Sequence, residues 1–139
     1  MFKSIISLAL FTGAALAQGI LFGSPAEGAS VAAGSDLIVQ LEKPNSLSSS
    51  VEVAVVIGIE SCSNQPCPAP TDMMGQLLYN GPYNPVAHEP QLPHYQNISV
   101  TIPASLAKGT AQLNILHVNL IGAGPIPNLQ ILNRTITIT

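Results

Sequence analysis

The chain has 139 residues, of which 8% are charged and 47% hydrophobic, and a formal net charge of −3. An ordinary soluble domain carries about 25% charged residues, so neutral polar groups must keep this surface wet. The acidic balance gives no electrostatic drive toward phosphate backbones and excludes nucleic acid as a partner.

The N-terminus carries Lys3, an apolar run from Ile5 to Leu16 and the small-residue triplet Ala15-Leu16-Ala17. These mark residues 1–17 as a secretory signal peptide, with residues 18–139 as the mature domain. About a dozen apolar residues fall short of the roughly 20 that span a bilayer, and no later run reaches that length. The expected product is a secreted, extracellular protein with no membrane span. The mature chain keeps Lys43, Lys108 and Arg134 against seven carboxylates. Its length of about 120 residues fits a single domain with a real core.

Ile20-Leu21-Phe22 opens a first strand, and residues 24–34 supply turn chemistry through Pro25, Gly28 and Gly34. Residues 36–42 alternate, with Leu37, Val39 and Leu41 on one face and Asp36, Gln40 and Glu42 on the other, the period of a half-buried strand. The serine-rich stretch at residues 46–50 breaks it. Residues 51–59 form the clearest strand, expected to bury Val51, Val53, Val55, Ile57 and Ile59 and to expose Glu52 and Glu60. Glu52 and Glu60 lie about 27 Å apart along such a strand, too far for a glycosidase carboxylate pair. They read as solvated edge charges.

Cys62 and Cys67, the only cysteines, enclose four residues in a chain bound for an oxidising compartment. A local disulfide is the expected outcome, and a zinc site lacks further ligands nearby. Residues 73–79 fit either a short helix or a strand. Tyr79, Tyr83 and Tyr95, with Met73 and Met74, place apolar area with polar tips in the proline-rich region from Cys62 to Tyr95, and this is the expected partner-binding surface. One or two of these tyrosines would alternatively plug the end of the fold. His88, Glu89 and His94, joined by His117, offer imidazole for a metal, but solvated turn histidines and a satisfied strand histidine are the commoner outcome, and no metal is assigned. A Ser/His/Asp set has no nucleophile elbow behind it, so no catalytic residue is assigned and no enzyme is expected.

Strands are expected at residues 95–102, 111–121 and 129–139. The sequons at Asn97 and Asn133 are expected N-glycan sites and therefore face solvent. In the last strand Asn133, Thr135 and Thr137 then point out and Ile136 and Ile138 in, which leaves Arg134 on the inward face unless it sits at a rim or a bulge shifts the register. Six or seven strands without a normal helix argue for an all-β, immunoglobulin-like antiparallel β-sandwich, with a small barrel as the alternative.

Four stretches carry a family resemblance: Ile57-Gly58-Ile59-Glu60-Ser61-Cys62; Leu78-Tyr79-Asn80-Gly81-Pro82-Tyr83-Asn84-Pro85; His94-Tyr95-Gln96-Asn97-Ile98-Ser99-Val100; and Lys108-Gly109-Thr110-Ala111-Gln112-Leu113-Asn114 with Gly122-Ala123-Gly124-Pro125. Together they resemble the Nis1 family of small secreted fungal proteins. The resemblance implies an effector that suppresses pattern-triggered plant immunity by binding immune receptor-associated kinases, a reading that takes either translocation into the host cell or an extracellular partner. It implies no catalytic residue and no cofactor. A fungal wall-associated module that binds polysaccharide is the alternative.

Overall fold

A computed structural model describes residues 19–139, so the signal-peptide reading lies outside the described residues. The described chain is all strand, turn and loop: β1 (Leu21–Ser24), β2 (Ser30–Val31), β3 (Asp36–Lys43), β4 (Ser50–Ser61), β5 (Gln76–Gly81), β6 (His94–Thr101), β7 (Gly109–Ile121) and β8 (Ile126–Ile138). They form a three-stranded sheet in the order β1-β3-β6 and a five-stranded sheet in the order β2-β8-β7-β4-β5. All neighbours run antiparallel except β2 and β8. The ambiguous stretch at residues 73–79 resolves into a loop through Met73 and Met74 and the strand β5.

The two sheets share one core. Val39, Leu41, Ile98 and Val100 from the smaller sheet meet Val55, Ile57, Ile59, Leu113, Ile115, Ile136 and Ile138 from the larger. In β3, β6 and the second half of β8 these are the residues that strict alternation selects, because successive side chains leave a strand on opposite sides. Five glycines adopt the positive φ that other residues rarely take, among them Gly34 at φ 78° between β2 and β3.

β4 departs from the expected alternation. A bulge between Glu52 and Ala54 sets Val53 and Ala54 together against Val118 of β7. Beyond it Val55, Ile57 and Ile59 are buried as expected. Before it the faces exchange. Val51 and Val53 are 59% and 48% exposed on the outside, while the Glu52 side chain is 10% exposed on the inside. The reading of Glu52 as a solvated edge charge is therefore corrected: one extra residue turns its carboxylate inward.

Glu52 is tolerated there because the interior supplies partners. Its carboxylate accepts from His117 Nε2 and from Lys43 Nζ at 2.8 Å, with Ser50 Oγ at 3.2 Å. Gln130 receives Ile20 N at 2.7 Å on Oε1 and donates from Nε2 to Ile20 O at 3.1 Å, which fixes its amide orientation. Its Oε1 lies 3.3 Å from His117 Nδ1. Asn128 donates to Asn119 Oδ1 at 3.0 Å. One end of the interior is thus a polar cluster, the other aliphatic.

Arg134 takes the rim position that the sequence left open. Its guanidinium lies over the Phe22 ring, 4.9 Å from the centroid, donates to Phe22 O at 3.4 Å and approaches Glu27 at 3.7 Å. An inward arginine is accommodated because β1 is short and leaves the edge open.

Candidate partner-binding surface

The loop at residues 62–75 is tied down at both ends. Cys62 and Cys67 are disulfide-bonded, as their spacing suggested, and Cys62 N donates to Thr110 O at 2.8 Å. The return limb lies across the outer face of the larger sheet. There Asn114 Nδ2 donates to Met73 O at 3.3 Å and to Met74 O at 3.2 Å. Gly58 makes this approach workable, since a Cβ at residue 58 would collide with the Met74 carbonyl. Gly75, at φ 78°, then turns the chain into β5. The loop explains why Gln112 and Asn114 are buried on an outward face.

Gly58→Ala is expected to lift this limb and to destabilise the fold by about 1 to 3 kcal/mol, the usual cost of overpacking. Thermal unfolding, with proteolysis of residues 63–75 as the local readout, checks it.

The residues expected to form one contact surface do not share a face. Met73 is 48% exposed on the outer side of the larger sheet, and Met74 is half-buried beside it. Tyr79 pairs with the core residue Ile57, packs against the core and donates its hydroxyl to Pro82 O at 2.7 Å. Tyr95 lies two residues from the exposed Asn97, on the outer face of the smaller sheet. Its ring stacks on His88, with centroids 3.7 Å apart, and its hydroxyl lies 3.5 Å from Glu89. Local desolvation and the adjacent Glu89 carboxylate push the Tyr95 phenol up.

Tyr83 is corrected from the contact set to the plugging role that stood as the alternative. It is 3% exposed, in the core, with its hydroxyl donating to Leu41 O at 3.1 Å and its ring edge-on to His117. A side chain in that position plugs the interior and offers no contact area. His117 is likewise fully buried and engaged with Glu52 and Gln130, while His88 lies on an exposed loop. The four-residue set drawn from His88, Glu89, His94 and His117 therefore does not assemble, and no group of three or more potential metal ligands converges among the described residues.

What the sequence reading missed is the rest of the outer face of the larger sheet. Cross-strand register builds three apolar rows: Val51–Leu120–Pro127, then Val53 and Ala54 with Val118 and Leu129, then Val56–Leu116–Ile131. Leu129 is 64% exposed and Ile131 37%. None of these residues is charged. At ordinary strand spacing and rise the rows cover roughly 15 Å on each side. The clamped loop, with Met73, closes one end of this surface, and Leu77 adds a further exposed aliphatic side chain from β5. Asn133, an exposed sequon position, adjoins it two residues beyond Ile131 on the same face. A contiguous exposed apolar face of this kind is a candidate for contact with another surface.

The arrangement defines a class: a small two-sheet domain with a disulfide-stapled loop beside an uncharged aliphatic sheet face. The chain belongs to the Nis1 family, whose model matches residues 15–137. No curated protein matches it. Among the described residues no helix is long and apolar enough to cross a membrane.

Proposed function

We propose that this protein is a secreted, effector-like binding protein without enzymatic activity, and that its partner is another protein, held on the aliphatic outer face of the larger sheet. Family membership supports the effector-like part. The observation that carries the surface is the three uncharged rows from Val51 to Ile131, which water covers at a free-energy cost that a partner would remove. The disulfide suits an extracellular compartment. On an immunoglobulin-like scaffold such a face is a rigid platform, with little ordering entropy to lose on binding. The finer reading takes the partner from the family resemblance: immune receptor-associated kinases of a plant host, reached by translocation, with suppression of pattern-triggered immunity as the result.

The test offers the secreted chain, residues 18–139, to plant tissue extract and to fungal wall material in parallel. Val51→Lys and Leu129→Lys place charges on exposed positions, so the melting temperature should stay within a few degrees. Capture of the protein partner is expected to fall at least about tenfold, the effect of desolvating a charge in an apolar contact. Unchanged capture by both variants would remove this face from the proposal. Retention by insoluble polysaccharide alone would replace it with a wall-binding role.

A further inference from the structure

β8 is a sheet edge for most of its length. Its other neighbour, β2, pairs only at Thr137 and Ile138. The adjacent main chain is also occupied: Thr135 O accepts from Gly28 N at 2.8 Å, Thr137 N donates to Ala29 O at 2.9 Å, and Thr139 N donates to Val31 O at 2.9 Å. The odd-numbered residues of β8 therefore aim their N–H and C=O away from β7. The ladder to β7 runs without a register shift from Ile126 to Ile138, so the same holds at Leu129, Ile131 and Asn133. Among the described residues nothing pairs with these main-chain groups.

Proteins usually guard such an edge with charge, proline, bulges or cover, and here only Pro127, at the end of the open segment, acts in that way. Residues 126–133 read Ile-Pro-Asn-Leu-Gln-Ile-Leu-Asn, with no charge at all. Leu129 and Ile131 also present exposed aliphatic side chains on the outer face.

We propose that this edge pairs with the same edge of a second copy of the chain, antiparallel about a two-fold axis at Ile131. In that register Ile131 faces Ile131 of the partner subunit and Leu129 faces Asn133 of the partner subunit, and the same pair recurs across the axis. Each pair exchanges two hydrogen bonds, because every residue involved directs its main-chain groups outward. The register also matches the ends. Pro127, which has no N–H to give, falls opposite Thr135 of the partner subunit, a position whose carbonyl and amide are already engaged by Gly28 and Glu27 in each copy. The open segment is therefore complementary to itself in both chemistry and length. The Asn133 side chain leaves from the sheet face, so the edge does not require it. Pairing joins two five-stranded sheets into one and sets the aliphatic rows of the two copies side by side, which is independent of the partner that the face takes.

Sedimentation velocity of the secreted chain over a series of concentrations tests this. A shift from monomer to twice that mass is expected as concentration rises. Ile131→Pro deletes one outward N–H and leaves the ladder to β7 intact, so it should abolish the shift while the circular dichroism spectrum is unchanged. Ile131→Lys, at an exposed position, should do the same and serves if the proline variant does not fold. Val51→Lys lies on the same apolar face but two strands from the edge, and should dimerise as the wild type does. A chain that stays monomeric throughout, a dimer insensitive to Ile131→Lys, or a dimer lost in Val51→Lys would each overturn the proposal.

Discussion

Glu52→Gln is expected to destabilise the fold by about 3 kcal/mol at neutral pH, one of the largest effects available from a near-isosteric change. The carboxylate meets three donors, from His117, Lys43 and Ser50. An amide keeps the shape but removes the charge and turns an NH2 toward donors that had an oxygen. Breaking a buried ion pair costs about 3 to 5 kcal/mol, because the abandoned charge stays desolvated. The Lys43 side chain is 24% exposed and can recover part of its hydration, which places the loss at the lower end.

The same residue sets the acid limit. Burial alone would raise its pKa, but the hydrogen bonds and charges of His117 and Lys43 outweigh that and bring it down to about 2. A carboxylate whose folded value lies below its unfolded one contributes stability that is present above the unfolded value, about 4.3, and is lost as pH falls through the folded value. Denaturation midpoints of wild type and Glu52→Gln should therefore differ most at pH 5 and above. The difference should shrink between about pH 4 and pH 2. A constant gap across that range would mean that the carboxylate is not held by these partners.

The polar cluster was half-legible in the sequence. In β7 the core-facing residues fall on odd numbers: Ala111, Leu113, Ile115, His117 and Asn119. The period that buries the first three necessarily buries the last two, and Asn128 and Gln130 stand opposite Asn119 and His117 in β8. The strands themselves were readable wherever one face is wet, as in β3 and β6, because alternation then separates the faces. A bulge leaves no such mark. Val51-Glu52-Val53 alternates as well with the glutamate inside as outside, and only the polar neighbours decide between them. β2 was invisible for another reason, since two residues give no period.

The exposed aliphatic face was hidden by composition. Val56, Leu116, Val118, Leu120 and Ile131 have the chemistry of core residues, and a strand apolar on both sides normally has both sides covered. Here cover exists only where Gly58 admits the backbone of Met74. Whether an apolar face is roofed or bare depends on where a loop lands, which is a tertiary fact. The tyrosines misled in the opposite direction, because a polar tip suggests a rim position while the ring favours burial. In Tyr83 the ring prevailed, since Leu41 O is within reach of its hydroxyl.

Tyr83→Ala should accordingly behave as a core deletion and not as the loss of a contact. The residue is reached from the segment between β5 and β6, yet its ring stands edge-on to His117, with centroids 5.5 Å apart and planes at 81°. Removing it leaves a cavity beside the Glu52 cluster, at a cost of about 3 to 5 kcal/mol. For a domain of this size that lowers the melting temperature by roughly 15 °C. Tyr83→Phe keeps the ring and loses only the hydrogen bond to Leu41 O, so it should cost about 1 kcal/mol. Burial, with the Glu52 and Glu42 carboxylates, pushes the phenol far above the usual tyrosine range. A group whose folded value is raised contributes stability that is present below the unfolded value and is lost as pH rises past it, so wild type should weaken above about pH 10. In Tyr83→Phe that alkaline loss should be smaller. Partner capture by Tyr83→Phe should match wild type at temperatures where both are folded. A Tyr83→Ala chain that keeps the wild-type melting temperature but fails to capture its partner would return this tyrosine to the contact surface.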